Sequence, residues 1–162
     1  MFLSHVLDPA TPSYANGPRL KVERIRSLSD GDSCNESVLE MPLHLGSHVD
    51  APRHFDDSGP SIDEMSADFW LARPVSLIDV PTGMGEELDL ARLRSSGAEI
   101  PVDCEALLIR TGIESYRASD PESFANDGPF LGGDLARHLR TLSRLRFVGI
   151  DAISISSPKN RT

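Results

Sequence analysis

The stretch RPVSLIDVPTGMGEELDLARLRSSGAEIPVDCEALLIRTG, Arg73 to Gly112, changes its hydrophobic period twice. Arg73 to Pro81 has an apolar, β-branched centre with proline near each end, which predicts a buried strand. From Asp89 the spacing of leucines becomes helical, and Gly97 supplies a stop signal. Glu105 to Gly112 returns to a short apolar run and predicts a second strand. Further along, Leu135, Leu139 and Leu142 repeat at helical spacing, with Asp134 as the expected N-cap. The run RFVGIDAISI, Arg146 to Ile155, predicts a third strand. Strands alternating with helices define an α/β domain.

The rest of the chain is consistent with one such domain over residues 1–162, long enough to bury a core without staples. Apolar residues make up 39% and charged residues 25%, a globular balance. A net charge of -9 argues against a nucleic-acid or anionic-lipid surface, since both require clustered lysine and arginine. Cys34 and Cys104 lie far apart and form no CxxC, which leaves one disulfide open and fits two free thiols in a reducing cytoplasm at least as well. The opening MFLSHVLDPATP lacks a basic n-region, and no apolar run approaches the ~20 residues that span a bilayer. A soluble cytoplasmic protein with a small-molecule partner is the expectation.

N-terminal to the strand–helix unit, DPATPSYANGP reads as extended chain with turns, and FDDSGP as a further turn. Ser61 precedes Glu64 by three residues, the spacing of a capping box, so a short helix is expected there. Between these turns lies HLGSHVDAPRH, His44 to His54, which contains three of the five histidines. Scattering five histidines over the chain would put about 0.3 in an eleven-residue window, so their clustering needs a reason.

His44, Gly46, His48, Asp50, Pro52 and His54 share even positions, hence one face of an extended strand. On a straight strand His44 and His48 would sit roughly 13 Å apart. A shared ion with nitrogens at about 2.0–2.1 Å therefore demands a bend, and Gly46–Ser47 is where the chain permits it. Two imidazoles and a carboxylate suit zinc, manganese or iron better than calcium or magnesium. Such a set leaves room for a water whose pKa the ion lowers. His54 is placed to carry a proton. The competing reading is a polar loop without an ion. His5 and His138 are expected to be surface or packing residues.

HLGSHVDAPRHF resembles the HxGxHxDxPxH signature of the metal-dependent cyclase family, which includes bacterial kynurenine formamidases. PSYANGP, LLIRTG and FVGIDAISI resemble, in order, that family's aromatic turn, central strand and late Gly-Ile-Asp strand. The resemblance implies a swivelling β/β/α domain with a mixed sheet, and a homodimer or larger homo-oligomer. It implies His44, His48 and Asp50 as metal ligands, His54 as the catalytic acid/base and Tyr14 as the aromatic contact to substrate. The metal implied is divalent, zinc first and manganese as the alternative. The activity implied is hydrolysis of C–N bonds in small aryl or cyclic amides, as in conversion of N-formyl-L-kynurenine to L-kynurenine and formate.

The family also supplies a His and a Glu downstream of the Gly-Ile-Asp strand, and the residues after Asp151 contain neither. A C-terminally shortened cyclase fold is thus expected, with apolar surface or a sheet edge left for oligomerisation to cover. One metal instead of two, ligands borrowed from a partner chain, or a catalytically inactive metal-binding domain with an assembly or regulatory role are the alternatives.

Overall fold

A computed structural model describes residues 4–156. Strands β1 (Lys21–Arg26) and β2 (Glu36–Glu40) form an antiparallel hairpin. β3 (Val75–Asp79) leads through β4 (Glu87–Leu88) and α1 (Leu90–Ser95) to β5 (Ala106–Arg110). Then come α2 (Tyr116–Ser119), α3 (Pro121–Asn126), β6 (Phe130–Leu131), α4 (Gly133–Leu139) and β7 (Phe147–Ile150). β3, β5 and β7 make a parallel sheet with β5 in the centre, and β4 pairs with β6 in parallel. No helix among the described residues is long and apolar enough to cross a membrane.

The sheet advances in one direction, so right-handed crossovers put their helices on the same face. The packing agrees: Ile78, Leu107 and Ile109 form one core with Leu93 of α1 and Leu135 and Leu139 of α4. On the opposite face Leu77 and Leu108, paired across β3 and β5, are left open to solvent, as is Val75. Parallel sheets ordinarily have both faces covered. Every residue of the two hairpin strands is exposed too, including Val22, Ile25, Val38 and Leu39. These apolar side chains are uncovered among the described residues.

Local signals explain most elements. The Asp89 carboxylate accepts the Arg92 N–H at 2.7 Å, capping α1, and Gly97 follows its end at φ 71°. Asp134, by contrast, is not the N-cap of α4. Gly132 is still held by its N–H to Leu88 O as the chain leaves β6, so the helix starts directly after it. Asp134 then falls in the first turn, where it accepts the Leu90 N–H at 3.3 Å. The Ser61–Glu64 box forms, with the Ser61 N–H donating to Glu64 at 2.8 Å, but around a single 3₁₀ turn, Ile62–Glu64. The third strand stops at Ile150 because Asp151 turns to a different task. The cysteines are free, Cys104 in the interior.

One carboxylate pins each end of the parallel sheet. At the carboxyl ends, Asp151 accepts the Thr111 N–H (2.9 Å), the Thr111 hydroxyl (2.6 Å) and the Gly112 N–H (2.8 Å). At the amino ends, Glu105 accepts the Arg73 N–H at 3.0 Å, Arg144 at 3.0 Å and Arg146 at 2.7 Å. Arg146 also donates to the carbonyls of Phe69 and Leu71 and lies over the rings of Phe69 and Phe147. Cation–π contact and charge-assisted hydrogen bonds thus join β3, β5 and β7 to the Ala67–Trp70 turn.

The Arg73 N–H, with Arg144 and Arg146, holds the Glu105 carboxyl down at about 2 against its ordinary 4.5. Between those values the unfolded chain binds more protons at this site than the folded one, so stability rises with pH there. The contribution is complete above the unfolded value and is lost as pH falls toward the folded one. Urea unfolding from pH 5 down to pH 2.5 should show Glu105→Gln with a shallower loss of stability than the parent chain. Equal slopes would remove Glu105 from the acid response.

Candidate metal centre

After β2 the chain runs into Pro42 and then bends through residues 43–47. Leu45 is only 3% exposed, whereas His44 and Gly46 on either side face solvent. Gly46 takes φ +69°, a conformation that L side chains rarely adopt. The expected bend at Gly46 is present, but the expected strand over residues 44–54 is not. The segment joins no sheet among the described residues, and Pro52 opens a 3₁₀ turn, Pro52–His54, instead of extending a ladder. The even-position residues come together by reversal of the chain about the Leu45 anchor, not by strand alternation.

The ligand atoms of His44, His48 and Asp50 lie within 4.8 Å of one another, the one such group of three among the described residues. His48 Nδ1 is 2.9 Å from the Gly46 carbonyl. A carbonyl only accepts, so this bond places a proton on Nδ1 and leaves the Nε2 lone pair free. Nε2 in turn is 3.4 Å from Asp50 Oδ1. Two ligands on one tetrahedral ion at about 2.1 Å stand about 3.4 Å apart. His48 thus already has the geometry and the outer hydrogen bond of a metal-ligating imidazole. His44 Nδ1 contacts the same Asp50 oxygen at 2.6 Å, a direct hydrogen bond that must open by under 1 Å to admit an ion. The donor set fits a divalent ion of the zinc or manganese kind.

His54 joins the group without sharing its hydrogen bonds. Its ring stacks on His44 at 3.9 Å between centroids and meets Phe55 edge-on at 4.4 Å. Arg53 between them is turned away, its guanidinium held by the Gly59 carbonyl and Glu64. The side chains are open to solvent, with 44% of His44, 25% of His48 and 35% of Asp50 exposed.

Tyr14 belongs to the N-terminal segment that precedes β1. It opens the 3₁₀ turn Tyr14–Asn16 and borders a crevice with Ala125, Asn126, Gly128, Ile153 and Ser154. Outside the cluster, His5 faces Glu114 at 3.3 Å and His138 sits exposed in the last turn of α4. Two features of the centre had no sequence signal beyond residue type: the Gly46 carbonyl as partner of His48, and the Leu7 side chain over Gly46.

Comparison with known proteins agrees with this fold. The family described as putative cyclase matches residues 1–157, and the chain belongs to that family. A kynurenine formamidase of Bacillus cereus is 30% identical over 129 residues, which cover 80% of this chain and 56% of the relative. An uncharacterised protein of Haemophilus influenzae is 32% identical over 114 residues, covering 70% of this chain and 80% of the relative. Among solved structures, isatin hydrolase A from Labrenzia aggregata superposes with a TM-score of 0.75 at 25% identity, over 96% of this chain and 68% of that one. The chain therefore spans a little over half the length of the kynurenine formamidase.

Removing the shared carboxylate separates an ion site from a polar loop. Asp50→Ala should weaken zinc binding by at least about a hundredfold in a competition titration while the circular dichroism spectrum is unchanged. Unaltered affinity would place any bound ion elsewhere.

Proposed function

We propose that this chain is a metal-dependent hydrolase of the C–N bond in small aryl or cyclic amides. The observation that carries the proposal is the convergence of His44, His48 and Asp50 on one point, with His54 stacked alongside. The names of its relatives, kynurenine formamidase and isatin hydrolase, supply the substrate class. N-formyl-L-kynurenine and isatin both carry a carbonyl on an aromatic amine nitrogen, so one carbonyl chemistry serves both.

Under this reading His44, His48 and Asp50 hold a divalent ion, zinc first and manganese second. The ion supplies Lewis acidity toward an amide carbonyl and toward water. The Gly46 carbonyl keeps the His48 proton on Nδ1 and so keeps Nε2 directed at the ion. His54 delivers a proton to the departing amine nitrogen, its ring plane fixed by stacking on His44 and by Phe55. The two free thiols support a cytoplasmic setting. The uncovered hairpin and outer sheet face support a homodimer or larger homo-oligomer.

A second reading, a metal-binding domain without turnover that serves assembly or regulation, is favoured by the openness of the three ligands to solvent. Purified protein loaded with Zn²⁺ or Mn²⁺ distinguishes the two when assayed on N-formyl-L-kynurenine and isatin. The hydrolase reading predicts turnover, and a fall of about 10²–10⁴ in kcat for His54→Ala with metal content unchanged. Bound metal with no turnover favours the second reading, and absence of bound metal defeats both.

A further inference from the structure

We infer that Leu7 is a positioning residue for the metal centre, acting through Gly46 on the orientation of His48; this rests on the proposed metal site. An ideal Cβ placed on Gly46 would lie 3.0 Å from Leu7 Cδ1, so the leucine side chain rests against the point where the loop reverses. The segment bearing Leu7 is tied down on both sides. Toward the N-terminus, Arg117 donates to the Val6 carbonyl at 3.2 Å and His5 faces Glu114 at 3.3 Å. Toward the C-terminus, a turn closes from Asp8 to the buried Thr11: the Thr11 N–H donates to Asp8 O, and the Asp8 N–H donates to the Thr11 hydroxyl, each at 3.0 Å.

These ties make residues 5–11 a strap across the loop. Leu45 holds the loop from inside the core, and Leu7 limits it from outside. Between them sits Gly46, whose carbonyl receives the His48 Nδ1 proton. Rotation of the Gly46 peptide would remove that acceptor and free His48 to exchange its tautomer. The strap therefore selects the imidazole form that leaves Nε2 free for an ion. Gly46 is required on two counts, its positive φ and its contact with Leu7.

The proposal is tested on the full chain with two readouts. Nitrogen-15 spectra of the metal-free protein at pH 8 report the His48 tautomer directly, and competition titration reports Zn²⁺ affinity. The parent should show His48 protonated on Nδ1. Leu7→Ala should show mixed tautomers and bind Zn²⁺ about tenfold more weakly, with unchanged circular dichroism. Leu7→Met should restore both values, since it refills the same space. Arg117→Ala, which releases Val6, should shift both readouts in the direction of Leu7→Ala. A parent-like tautomer in Leu7→Ala would overturn the strap, whether or not zinc binds. A parent that shows the tautomer change on mutation but binds no zinc would sink the metal reading and leave the strap standing as a loop restraint.

Discussion

Leu45 is buried while the residues on both sides of it face solvent, and the geometry of the candidate metal centre follows from that anchored side chain. With Leu45 fixed in the core and Gly46 at positive φ, the chain must reverse over a few residues. His44 approaches the reversal and His48 leaves it, so two imidazoles that an extended chain would hold apart come to face one carboxylate. Asp50 touches both, at 2.6 Å and 3.4 Å. The next constraint, Pro52, turns the chain again and returns His54 to stack on His44. Four polar side chains are gathered by one apolar anchor, one glycine and one proline.

The parallel sheet has a different logic. Its core face is closed by α1 and α4, and its two ends are clamped by Asp151 and Glu105. Its outer face and the β1–β2 hairpin stay uncovered among the described residues. A two-stranded hairpin with both faces in water is marginal by itself. The apolar side chains of Val75, Leu77 and Leu108 lie on that uncovered face of the sheet.

Much of this was legible in the amino-acid order, and the gaps have physical causes. The strands β3, β5 and β7 and the helix α1 announce themselves because their signals are local: β-branched runs, an aspartate cap, a terminal glycine. The hairpin carries no such signal, since the apolar residues of KVERIR and ESVLE do not alternate and neither strand has a buried face. β4 and β6 are two residues each, shorter than any period can resolve. In the His44–His54 stretch the grouping of residues was readable but its conformation was not. Spacings of four and six are met equally well by a strand with a kink and by a loop folded about a buried leucine, and only tertiary burial of Leu45 decides between them. Asp134 shows the same effect, because the exit of β6 at Gly132 overrides a good capping residue two positions later.

X-ray absorption at the zinc edge, on protein loaded with one equivalent of Zn²⁺, tests the central claim most directly. The account predicts a first shell of nitrogen and oxygen at about 2.0–2.1 Å, with the outer-shell scattering of two imidazoles that disappears in step with His44 and His48 substitution. A shell containing sulfur at about 2.3 Å, or one with no imidazole scattering, would contradict it.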